Sequence, residues 1–157
     1  MENEIMEHGA VLPDISGVIR ERFEVPGEPI NRYSPLALAF IGDSVYEIII
    51  RSIVVQAANR PAGQLNKIKV KFVNAAAQAR MIEALEPELS PGECEVYKRG
   101  RNAKSGTSAK NQSVTDYRKA TGLEALCGYL YLNGELDRLF YLIKIGMDFI
   151  GYKEVVK

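Results

Sequence analysis

The chain has 157 residues, enough for one domain with a proper core, and its 46% hydrophobic and 25% charged residues suit a globular protein. No apolar run reaches membrane-spanning length, and the N-terminus lacks the basic and apolar regions of a secretion signal. The formal net charge is zero and the one histidine, His8, lies in a polar tail, which disfavours a histidine zinc site or a Ser-His-Asp triad.

That zero is unevenly laid out. Residues 1–30 carry seven acids against Arg20 and Arg22, whereas residues 60–119 carry twelve Lys or Arg against six acids. An acidic tail and a basic working surface are expected, the latter suited to nucleic acid. The tail would fold back over the basic surface and weaken non-specific binding. Cys94 and Cys127 form no CxxC pair and read as two free thiols, in keeping with a cytoplasmic protein.

Residues 1–33 are polar, hold Pro13, Pro26 and Pro29, and read as an acidic, loosely structured extension with a short helix near "GVIRERF". Ser34-Pro35 is an N-cap followed by proline at the first helical position, and it opens a helix to about Ala58. "NRPAG" interrupts, and apolar residues at three- and four-residue steps predict a second long helix over 63–86. A short helix over 91–99 follows Ser90-Pro91. Residues 99–113, "RGRNAKSGTSAKNQS", read as a loop, because glycine and small polar residues crowd there. Helices over 114–132 and 135–150 complete the chain. No strand alternation or internal repeat is present, and the expected class is all-α, with residues 34–157 as the domain.

Two carboxylates stand out. Asp43 lies within "LALAFIGDSVYEIIIRSIVV", next to Gly42 and one turn from Glu47, which is itself one turn from Arg51. Glu124 lies within "TGLEALCGYLYL", with Gly128 one turn on. An unpaired carboxylate in an apolar helix is costly, and a glycine beside it suggests close approach of another backbone. Glu47 and Arg51 read equally well as an ion-pair ladder on the helix face. If the two helices cross so that Asp43 and Glu124 meet, the acids repel unless a cation separates them. Oxygen ligands without His or Cys select Mg²⁺, with Mn²⁺ as the alternative, and such an ion acts on phosphate esters. Between Glu95 and Asp116 there is no acid, while Lys98, Arg99, Arg101, Lys104 and Lys110, with Asn102, form a segment suited to tracking phosphates. It lacks aromatics for stacking bases, so a duplex backbone fits better than a single strand.

"LAFIGDSVYEIII" resembles the signature helix of the ribonuclease III endonuclease domain, "GLEALCGYLYL" resembles that domain's second acidic helix, and "KFVNAAAQARMIEAL" falls between them as expected. The segment "YKRGRNAKSGTSAKN", with no double-stranded-RNA-binding module after the domain, resembles the Mini-III branch. The resemblance covers about residues 33–150. It implies a Mg²⁺-dependent endoribonuclease that cleaves double-stranded RNA to leave 5′-phosphate ends and short 3′ overhangs, trimming precursor 23S ribosomal RNA in bacteria. Asp43 and Glu124 match the metal-binding acids, with Glu47 or Thr121 as a further supporting ligand. Phe40 matches the aromatic that packs into a partner subunit of a homodimer. Ala39 and Thr121 stand where ribonuclease III proper has acids. These losses leave fewer carboxylates per site and open the alternative of a degenerate domain that binds structured RNA without cutting it.

Overall fold

The computed structural model describes residues 12–103 and 114–157. Among these residues the chain forms eight α-helices and no strands: α1 (Ile15–Arg22), α2 (Pro35–Ala57), α3 (Ala62–Val70), α4 (Ala75–Leu85), α5 (Pro91–Asn102), α6 (Val114–Leu132), α7 (Leu136–Phe149) and the short α8 (Tyr152–Val155). The expected all-α class holds.

The starts of these helices are written in local chemistry. The Ser34 hydroxyl accepts from the Ala37 N–H at 3.2 Å, and Pro35 needs no N–H partner at its position. At α5, Ser90 and Glu93 form a capping box in which each side chain accepts from the other's backbone N–H, at 3.2 and 2.8 Å. Glu93 then serves the tertiary fold as well. It is only 6% exposed and receives the Arg138 guanidinium in two bonds of 2.8 and 2.9 Å, while Arg138 also donates to the Glu88 carbonyl. That fork pins the start of α5 to α7 and holds the Glu93 carboxyl below its usual range, mainly through the Arg138 hydrogen bonds.

Two expected elements differ. The single helix predicted over 63–86 is two, because Asn74 serves both ends: its Nδ2 donates to the Val70 carbonyl at 2.8 Å and its Oδ1 accepts from the Ala77 N–H at 2.9 Å. One side chain thus closes α3 and opens α4. The loop predicted from residue 99 begins later, since α5 runs on to Asn102. Gly100 is a contact residue there, not a helix breaker: a Cβ on it would lie 2.6 Å from the Ala125 Cβ and 3.1 Å from the Gly122 Cα.

Helix α6 is the axis of the fold, buried on nearly all sides through Ala120, Leu123, Ala125, Leu126, Cys127 and Leu130. Helices α2, α4 and α5 pack against it, and α7 covers α4. Tyr46, Ile50, Met81, Leu123 and Leu139 fill the shared core. In the N-terminal segment, α1 rests on the end of α6, where the buried Ser16 hydroxyl lies 3.2 Å from the Tyr131 carbonyl.

Candidate active site

The apolar stretch around Asp43 is one long helix with two unlike sides. Leu38, Ala39, Gly42, Val45, Tyr46, Ile50 and Val54 turn inward. Asp43 is exposed, so the carboxylate is not buried in the core as its surroundings suggested; it stands at the rim of the contact with α6. Ala39, by contrast, packs with Leu38 and Ala125, leaving that position wholly apolar.

Where α2 crosses α6 the backbones touch. A Cβ on Gly42 would collide with the Glu124 carbonyl oxygen and lie 2.7 Å from the Gly128 nitrogen, and one on Gly128 would collide with the Leu38 carbonyl. This crossing sets Glu124 against Asp43. Burial, and then the Asp43 charge, push the Glu124 carboxyl up to about 8, opposed by the Gln78 side chain. Burial and the Glu47 charge likewise raise Asp43, while the Lys69 ammonium acts the other way. Cys127 and Tyr46 sit beside the pair. Burial raises both, so the thiol is an inert core group, and the tyrosine hydroxyl donates to the Phe72 carbonyl at 2.7 Å.

Two acids that repel each other in a partly dry corner are a place for a cation. Their donor set is hard oxygen, and Mg²⁺ commonly takes one or two carboxylates and completes its shell with water and phosphate oxygens. Among the described residues no three His, Cys, Asp or Glu side chains gather as a metal cluster, so the fit is to an ion with two protein ligands. Glu47 is otherwise engaged: its Oε1 accepts from Arg51 Nε at 3.0 Å and from Lys69 Nζ at 2.9 Å, and Arg51 Nη2 lies 2.8 Å away. The Thr121 hydroxyl donates to the Tyr117 carbonyl at 3.0 Å, which leaves it only lone pairs to offer.

The basic segment divides. Lys98, Arg99 and Asn102 line an open groove of about 660 Å³ together with Pro35 and Cys94. Arg101 lies over the Tyr97 ring, 5.6 Å from its centre, and its Nε reaches Asn102 Oδ1 at 3.2 Å. Lys104 and Lys110 lie outside the described residues. Phe40 is 82% exposed, which rules out a core role for it.

Sequence reasoning missed Gln78 and Lys69. Gln78 is 4% exposed and faces Glu124; the signal was a lone amide in the otherwise apolar "AAAQARMI". Lys69 was hidden among the neighbouring Lys67 and Lys71, and only the fold of α3 against α2 distinguishes it.

The raised Glu124 carboxyl has a consequence for stability. Its ordinary value is 4.5, so between there and about pH 8 the folded chain holds a proton that the unfolded chain gives up. The stability this confers is complete below pH 4.5 and is lost as the pH climbs through 8. Protein in EDTA should therefore unfold at lower urea at pH 8.5 than at pH 5.5. A flat profile in EDTA would remove the coupled pair.

The chain has relatives among known proteins. A profile for the ribonuclease III domain matches residues 36–135. The chain therefore belongs to the ribonuclease III domain family. Its relatives there include the Mini-ribonuclease 3 of Thermoanaerobacter sp. (strain X514), 46% identical over 78% of this chain and 87% of the relative. The Mini-ribonuclease 3 of Enterococcus faecalis is 49% identical over 74% and 89% of the two chains. A crystal structure of a protein from Fusobacterium nucleatum superposes with a TM-score of 0.71 at 31% identity, covering 78% of this chain and 94% of that one.

Proposed function

We propose that the chain is a Mg²⁺-dependent endoribonuclease that cleaves double-stranded RNA, with Asp43 and Glu124 holding the metal. The observation that carries this reading is the Gly42–Gly128 crossing, which brings Asp43 near enough for its charge to raise the Glu124 carboxyl. The relatives' name, Mini-ribonuclease 3, agrees with it. Bound there, Mg²⁺ supplies a water of lowered pKa and charge to offset that of the phosphate, and Mn²⁺ has the same oxygen chemistry. The protein's part is to fix the ion's position. Asp43 presents its carboxylate from the exposed rim, Glu124 from the partly buried wall, and Gln78 orients the latter. Lys98, Arg99, Arg101 and Asn102 lie on α5, which Gly100 seats against α6 beside Glu124, and they would track the duplex backbone.

Hydrolysis would leave 5′-phosphate ends, and the substrate we propose is precursor 23S ribosomal RNA in the cytoplasm. Residues 34–157 would form the catalytic unit. A second copy would complete a homodimer in which each site cuts one strand, with the exposed Phe40 at the contact. Phe40→Asp should then convert a dimer to a monomer in sedimentation equilibrium while leaving the helical circular dichroism in place. A wild-type monomer would dispose of the dimer.

The test of function is incubation of a long RNA duplex with the protein and Mg²⁺, with EDTA as control. Metal-dependent shortening supports the enzyme. Intact duplex retained by the protein would favour RNA binding without cleavage, the reading that the apolar packing of Ala39 keeps in view.

A further inference from the structure

We infer that Lys69 contacts a non-bridging phosphate oxygen of the RNA at the Asp43–Glu124 site, and that Glu47 positions its ammonium for this. The inference rests on the nuclease reading above. Lysine side chains are mostly exposed, yet Lys69 is only 15% exposed, and its Nζ lies 2.9 Å from Glu47 Oε1. Asp43 and Glu47 are one helical turn apart on α2, so the ammonium bound to Glu47 is held on the side of the helix that carries Asp43. An ammonium has three donors, and among the described residues Glu47 is its one hydrogen-bond partner. Two N–H groups thus remain for a ligand.

The balance of charge points the same way. Two carboxylates match a divalent cation and leave the phosphodiester's negative charge unmatched. Glu47, Arg51 and Lys69 together carry a net single positive charge, since one carboxylate holds two cations through the same oxygen. Arg51 is the more exposed partner and keeps Glu47 occupied, so Lys69 can turn a donor outward without leaving a bare buried acid. Beside them a groove of about 170 Å³ is lined by Arg51, Leu65, Asn66 and Lys69, so the ammonium borders open space. Attack at phosphorus increases the charge on the non-bridging oxygens, and a fixed cation there stabilises that increase more than the ground state.

The experiment uses the full chain with Lys69→Met, Lys69→Arg and Asp43→Asn. Cleavage of an RNA duplex is followed in Mg²⁺, and duplex affinity is followed against salt in EDTA. Lys69→Met should lower kcat/KM roughly a hundredfold. It should also flatten the slope of log affinity against log salt by about 1, as loss of one phosphate contact does. Lys69→Arg should keep the slope and most of the activity. Cleavage that falls with the slope unchanged would make Lys69 structural and overturn the inference. So would wild-type cleavage by Lys69→Met while Asp43→Asn is dead, and in that case the nuclease reading stands. If Asp43→Asn also cleaves normally, both fall. Should Lys69→Met fail to fold, Lys69→Gln is read by the same two measurements.

Discussion

Asp43→Asn and Glu124→Gln are each expected to reduce cleavage of an RNA duplex by roughly a thousandfold or more, at the upper end for one electrostatic partner of a reacting centre. The reason is the smallness of the site. With Glu47 tied to Arg51 and Lys69, and Ala39 packed in the core, each of the two acids supplies half of the anionic charge available to a divalent ion. Both replacements keep the shape of the side chain, so the fold should survive. Glu124→Gln carries a second expectation that sets it apart from ordinary damage. Burial and Asp43 hold the Glu124 carboxyl at about 8, so an uncharged amide relieves an unfavourable charge at alkaline pH. The metal-free variant should be more stable than wild type at pH 8.5 and yet inactive. Single-turnover cleavage and urea unfolding, run on the same preparation, check the two halves. Wild-type activity in either variant would take that residue out of the proposed metal site.

Gly42→Ala and Gly128→Ala should be the most damaging small substitutions in the chain. Each places a methyl group where the opposing helix has backbone, not a side chain that can swing aside. Overpacking of this kind costs about 3 kcal/mol or more, and at this chain length that lowers the melting temperature by about 10 °C. Gly63→Ala is the control: it lies in α3 with nothing within 4 Å of the added methyl, and it should be neutral or slightly stabilising. Thermal melts of the three variants decide the matter. If Gly42→Ala melts with wild type, the two helices do not meet backbone to backbone.

Those glycines show what could be read from the sequence and what could not. Gly42 beside Asp43 was legible as a close approach, because a glycine inside a long helix has a cost that must be offset. Gly100 carried the same meaning but sat among serine, asparagine and lysine, and its setting argued for a loop. The capping of α2 and α5 was plain from Ser34-Pro35 and Ser90-Pro91, since those signals act over three residues. Asn74 used equally local chemistry, yet the apolar spacing on both sides runs through it without a change of phase, and periodicity alone joined α3 to α4. The roles of Lys69 and Gln78 depend on which helix lies opposite, a matter of tertiary packing that no spacing within α3 or α4 encodes.

The seating of α5 on α6 separates two roles that share one short segment. Its inner side meets α6 through Gly100 and Gly122 at near-backbone distance, whereas Lys98, Arg99 and Asn102 stand on its outer side. Replacements among the outer residues would leave the spacing of Asp43 and Glu124 untouched. The outward charges of α5 can thus be changed without moving the glycine contacts that set the helices beneath it.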